Sequence, residues 1–154
     1  MKNIYLGAGK DRKEGFTHVD IYPFPGIDVV ADVTKGLPFE DNSVDYLFSQ
    51  DLLEHLPTES KVFVINEIWR VLKDGGQMEH LIPKAGSRND FGSPSHLSHW
   101  SLQQFEHFDV DSYRWEKDHE YEGITSKFRK ILAEEGWPTE DPQSIHVIYE
   151  AIKP

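Results

Sequence analysis

Residues able to do chemistry recur in this chain at one kind of place, just after a short apolar run. Leu6-Gly7-Ala8-Gly9 follows Asn3-Ile4-Tyr5, and glycines there let the backbone approach a ligand closely and adopt positive φ. Asp20 closes Thr17-His18-Val19, where a carboxylate can accept hydrogen bonds from ribose hydroxyls. Asp32-Val33 closes Asp28-Val29-Val30-Ala31. Ser49-Gln50-Asp51 closes the run that begins at Val44 and leads into Leu52-Leu53-Glu54-His55. Each feature alone is weak, since Gly-x-Gly is more often a bare turn and an Asp there more often a cap. Their shared register is the stronger signal.

A further group is rich in imidazole. His96-x-x-His99 lies downstream of Asp90, on a polar stretch containing Gly86, Gly92 and Pro94. A histidine titrates near neutrality, so His96 and His99, with Asp51, are the candidates for a general base. The same spacing could hold a metal. A zinc site needs further ligands, however, and the chain has no cysteine, so no metal is expected.

For the four strand-end features to meet, the runs before them must lie side by side, because open α/β sheets bind ligands at the carboxyl ends of their strands. Val62, Ile65, Trp69 and Leu72 recur at helical spacing, which predicts a helix over residues 58–72 stopped by Asp74-Gly75-Gly76. A fifth strand, Gln77 to Ile82, ends at Pro83. Strand, helix, strand argues for an α/β fold with a parallel sheet. Residues 84–101 read as a long loop and a substrate-side lid, and Ser101 as the cap of a short helix through Phe105. Beyond that, residues 113–121 and 144–152 read as terminal strands and 126–135 as a helix. One connection is too short: a parallel crossover needs a dozen or more residues, and Asp20 follows Gly9 too closely. The first helix is therefore reduced to about a turn over residues 10–14, leaving Lys10 or Arg12 as charge partners for an anionic ligand group.

Composition bounds the rest. The 154 residues suit a single domain, 1–154, and carry a net charge of −11, which argues against a broad nucleic-acid groove. A small-molecule or saccharide-like acceptor fits better. No apolar stretch is long enough for a membrane span, and the apolar core near Met1 is too short for a signal peptide, so a cytoplasmic location is expected.

Tyr5-Leu6-Gly7-Ala8-Gly9, Val19-Asp20, Ala31-Asp32, Leu37-Pro38-Phe39, Leu53-Glu54-His55-Leu56 and Glu67-Ile68-Trp69-Arg70-Val71-Leu72-Lys73-Asp74-Gly75-Gly76 together resemble the class I S-adenosylmethionine-dependent methyltransferases. The likeness is to the small-molecule type with a Leu-Pro-Phe loop and a Glu-His-Leu turn. A dinucleotide-binding fingerprint fits less well, because Arg12 stands where it needs a third glycine. The resemblance implies a Rossmann-like, mostly parallel seven-stranded sheet, a minimal methyltransferase core with a reduced first helix. It also implies S-adenosylmethionine as cofactor. Leu6, Gly7, Ala8 and Gly9 would line its methionine end, Asp20 hold the ribose diol, and Ile21 pack beside the adenine. Asp32 would accept from the adenine amino group with the Val33 backbone near the ring edge. Gln50 and Asp51 would lie under the sulfonium, and His55 would brace that turn. Ser93-Pro94-Ser95-His96 resembles the family's Asp-Pro-Thr-His segment, with serine for aspartate. The expected activity is methyl transfer to an oxygen or nitrogen nucleophile. The alternative is a degenerate methyltransferase fold serving as a binding or scaffold module.

Overall fold

The computed structural model describes residues 1–136 and 143–154. Their seven strands form one sheet in the order β3-β2-β1-β4-β5-β7-β6. Strands β1 (Asn3–Leu6), β2 (Phe16–Asp20), β3 (Val29–Val30), β4 (Val44–Gln50) and β5 (Leu72–Pro83) are parallel. Strand β7 (Ser144–Ala151) is antiparallel to both β5 and β6 (Phe128–Glu135). This is the mostly parallel seven-stranded sheet that the motifs imply.

Period-two alternation sends the side chains to two faces. Ile4, Leu6, Leu47 and Ile82 join the main core, while Tyr5, Phe48 and Leu81 form a smaller cluster. Helix α1 (Lys61–Val71) covers the main core with Val64, Ile65, Ile68 and Val71. Each such aliphatic side chain stabilises by about 1.5–3 kcal/mol when taken from water.

Helix α1 begins after a 3₁₀ turn at Thr58–Ser60 and ends at Val71, short of the expected glycine stop. Leu72 enters β5 at once, paired with Val44. Asp74-Gly75-Gly76 instead forms the irregularity in that strand, with Gly75 at φ +73°. Between β1 and β2, residues 7–15 make only turns, as the short crossover requires.

The Leu-Pro-Phe loop is held by α1. Arg70 donates to the Leu37 carbonyl at 2.9 Å and the Phe39 carbonyl at 3.0 Å. Its guanidinium also makes two bonds to Glu67, at 2.7 and 2.8 Å, and one to Asp41 at 2.6 Å. Glu67 in turn accepts from the Leu37 amide at 2.9 Å. These contacts link two motifs that lie thirty residues apart in sequence.

Two expectations for the last third are overturned. Tyr113–Glu122 is a helix, α4, rather than a strand: Ser112 accepts from the Arg114 amide and Gly123 closes it in the left-handed conformation. Residues 126–135 form no helix, because β6 finds its hydrogen bonds on β7. Between β5 and α4 lie the one-turn helices α2 (Arg88–Phe91) and α3 (Leu102–Phe105), the latter opened by a Ser101/Gln104 capping box. Strand β7 falls where a strand was expected.

Candidate active site

The carboxyl ends of β1, β2 and β3 open into a cavity of about 640 Å³, a volume suited to a nucleoside-sized ligand. Gly7, Asp20, Ile21, Asp32, Val33 and His55 line it, so six of the residues singled out by sequence share one crevice. Leu6 and Ala8 are buried and do not line it, and neither does Gly9. Tyr22, Leu52, Leu56, Ser95 and Leu97 are also in its wall.

The glycine turn supplies room rather than donors. Gly7 and Gly9 sit at φ +66° and +54°. The Gly7 and Ala8 amides both donate to the Val19 carbonyl, at 2.8 and 3.2 Å. The Gly9 amide donates to Asp20 Oδ2 at 2.8 Å, and the Tyr22 amide to Asp20 Oδ1 at 2.9 Å. Each Asp20 oxygen therefore holds one loop and keeps a lone pair for a ligand.

Asp32 caps the 3₁₀ turn Val33–Lys35. Its Oδ1 accepts from the Thr34 hydroxyl at 2.6 Å and amide at 3.0 Å, while Oδ2 meets Lys35 at 3.1 Å. The Thr34 hydroxyl leads the interactions that hold this carboxyl below the usual range. The cap turns the Val33 backbone into the cavity wall.

A second cavity, of about 560 Å³, shares His55 with the first. Asp51, Glu54, Arg88, Asn89 and His96 are among its lining residues. Asp51 ends β4 in the left-handed conformation at φ +51°, its amide donating to the Leu81 carbonyl at 3.0 Å. Gln50 is exposed beside it and lines neither cavity, its amide 3.4 Å from Asp51 Oδ2. His99 also lines neither. Its Nδ1 lies 2.9 Å from both oxygens of buried Asp90, and its ring packs on Phe91.

Residues 84–101 are tied down at their far end. The amides of Leu97 and Ser98 donate to the Glu54 carbonyl at 2.8 and 3.0 Å, and buried Trp100 donates to the Leu53 carbonyl at 3.1 Å. This brings His96 against His55, ring centroids 4.8 Å apart. Glu54 lies between the two motifs and is 1% exposed, with no hydrogen bond from another residue to either carboxylate oxygen. Burial, with the Asp51 and Asp90 charges adding to it, pushes its carboxyl up to about 8. In the sequence Glu54 reads only as part of the Glu-His-Leu turn. The signal was an acidic residue among Leu52, Leu53 and Leu56, positions that face a core.

A parallel sheet with an antiparallel β7 inserted before the edge, and a crevice at its carboxyl ends lined by a glycine turn and two acids, defines the class I methyltransferase fold. Residues 8–79 match the family described as "Methyltransferase domain". The matched stretch, somewhat under half of the chain, is thus similar to the S-adenosylmethionine-dependent methyltransferases, a family whose cofactor is S-adenosylmethionine. Over 105 residues it is 32% identical to phosphoethanolamine N-methyltransferase 2 of Caenorhabditis elegans, covering 63% of this chain and 23% of that protein. The chain thus spans about a quarter of the relative's length. A S-adenosylmethionine-dependent methyltransferase from Archaeoglobus fulgidus superposes with a TM-score of 0.64 at 14% identity, over 97% of this chain and 85% of that one. Phosphoethanolamine N-methyltransferase 1 of Haemonchus contortus, solved with phosphoethanolamine and S-adenosylhomocysteine, superposes with a TM-score of 0.66 at 11% identity, over 99% and 39%. No helix among the described residues is long and apolar enough to cross a membrane.

Proposed function

We propose that the chain is a single methyltransferase unit that transfers the methyl group of S-adenosylmethionine, held in the first cavity, to an oxygen or nitrogen nucleophile of a small acceptor held in the second. The observation that carries this reading is the shared wall: His55 lines both cavities, so a ligand in one abuts a ligand in the other. Asp20 holds the ribose, Ile21 and Val33 flank the adenine, and Asp32 orders the turn that presents Val33. The sulfonium is already activated, so the protein's contribution is alignment of nucleophile, methyl and leaving sulfur, with water kept out.

Arg88 and Asp51 line the second cavity with opposite charges. An acceptor with both an amine and an anionic group complements them, as does the phosphoethanolamine methylated by the nematode relatives. Asp51 and, while its Nε2 is free of any other ligand, His96 are the proton acceptors in that cavity. His99, turned onto Asp90, is a support for the loop. Incubation with methyl-labelled cofactor and a panel of phospho-amines, amines and hydroxyl compounds tests the reading. Label should pass to a member of the panel and be lost in Asp20→Ala. Cofactor binding with no transfer to any class of acceptor would favour a binding module instead.

A further inference from the structure

We propose that Glu54, His55 and His96 form a binding site for one divalent transition-metal ion of the zinc class. One ligand atom from each, a carboxylate oxygen and two ring nitrogens, already lie within 4.8 Å of one another. Zinc binds such atoms at about 2.0–2.2 Å, so donors around it stand roughly 3.4 Å apart. The site needs to close by little more than an ångström.

Three independent features prepare it. Glu54 is buried with no hydrogen bond from another residue to either carboxylate oxygen, and a carboxylate in such a place is costly unless a cation or proton meets it. His55 Nδ1 lies 3.1 Å from the Ser95 carbonyl, and His96 Nδ1 lies 2.8 Å from the Asp90 carbonyl. A carbonyl only accepts, so each neutral ring carries its proton on Nδ1 and leaves the Nε2 lone pair free. Fixing a ligand histidine through its other nitrogen is how metal sites orient their imidazoles. Two imidazoles and one carboxylate also match the donor preference of zinc rather than that of magnesium or calcium.

The sequence offered His96 and His99 as a pair without a third ligand. The fold replaces His99 with His55 and adds Glu54. With three protein ligands, one position stays open toward the second cavity, where a bound oxygen of water or acceptor would be polarised and its pKa lowered. The other acidic and imidazole group among the described residues, His107 with Asp118 and Glu122, has its histidine ion-paired to Glu122 at 3.3 Å and serves as an internal comparison.

The site goes beyond the methyl-transfer reading and is tested without cofactor or acceptor, so either can fail alone. Protein stripped with a chelator and dialysed is titrated with ZnCl₂ in a calorimeter, and in parallel with CoCl₂ in a spectrophotometer. One equivalent should bind, with cobalt giving the intense visible bands of a four-coordinate site. Loss of a supporting hydrogen bond in such sites costs 10–100-fold in affinity. Glu54→Gln and His96→Ala should each cost at least about that much, while His107→Ala should bind as the parent does. Circular dichroism establishes that each variant is folded, and if Glu54→Gln is not, His55→Ala and His96→Ala carry the comparison. No stoichiometric binding, or binding lost in His107→Ala and kept in the other variants, would overturn the site.

Discussion

The Asp20 carboxylate accepts a hydrogen bond from the Gly9 amide at 2.8 Å, joining the end of β2 to the glycine turn after β1. Where a larger enzyme could place a helix N-terminus behind this turn, the short crossover leaves Asp20 and the Val19 carbonyl to hold it from β2.

Asp20→Ala should therefore act twice. Loss of charge-assisted bonds to a ribose costs about 1.5–3 kcal/mol, or roughly ten- to a hundred-fold in affinity for S-adenosylhomocysteine. Release of the Gly9 and Tyr22 amides should also lower the thermal midpoint. Calorimetry and thermal unfolding read the two effects separately. Parent-like affinity in the folded variant would remove Asp20 from the cofactor site.

The two glycines of the turn should differ. A Cβ at Gly7 would fall 2.9 Å from Leu52 Cδ1, whereas one at Gly9 would meet nothing within 4 Å. Both positions have positive φ, costing a residue with a side chain roughly 1–2 kcal/mol. Gly7→Ala adds displacement of Leu52, a wall of the first cavity, and should weaken cofactor binding more than Gly9→Ala. Equal losses would show that backbone strain alone decides.

Arg70 should be irreplaceable by lysine. Its fork binds Glu67 twice and reaches two carbonyls and Asp41, a pattern that a single ammonium does not reproduce. Arg70→Lys should cost about 1–3 kcal/mol in urea unfolding. A change within error would mean that the Leu-Pro-Phe loop holds itself.

Motifs built from contacts close in space and repeated in a fixed order were legible in the sequence. The strand-end acids, the glycine turn and the face of α1 all announced themselves by position. What failed depends on partners far along the chain. The β6 run Lys130-Ile131-Leu132-Ala133-Glu134-Glu135 has helical propensity, and only pairing with β7 overrides it. Residues 113–121, read as a strand, lie in α4 instead. The framing Ser112 and Gly123 were the better signal, since Trp115 and His119 stack one helical turn apart at 4.0 Å. Glu54 was missed for the same reason: its significance comes from His96, brought over by Leu97 and Ser98.

Two buried groups should set opposing pH dependences: Glu54, raised to about 8, loses stability as the pH rises from about 4.5, whereas His80 loses it as the pH drops below about 6.5. His80 is fully buried, its Nδ1 on the Ser49 hydroxyl at 2.6 Å, and burial pushes its pKa down to about 3. Between about 3 and 6.5 the unfolded chain takes up a proton that the folded chain refuses, so the His80 contribution rises with pH through that window. One such proton is worth up to about 1.4 kcal/mol per pH unit. His80→Phe should remove its rising contribution, making the slope of urea-unfolding stability with pH between about 4 and 6.5 more negative than in the parent. An identical slope in both proteins would place the acid sensitivity elsewhere.

Direct calorimetric titration with S-adenosylmethionine and with S-adenosylhomocysteine tests whether the cavity lined by Gly7, Asp20 and Asp32 holds the cofactor. One site per chain is expected for both, each weakened at least about tenfold in Asp20→Ala. Absence of binding by the folded parent protein, or binding indifferent to Asp20, would contradict it.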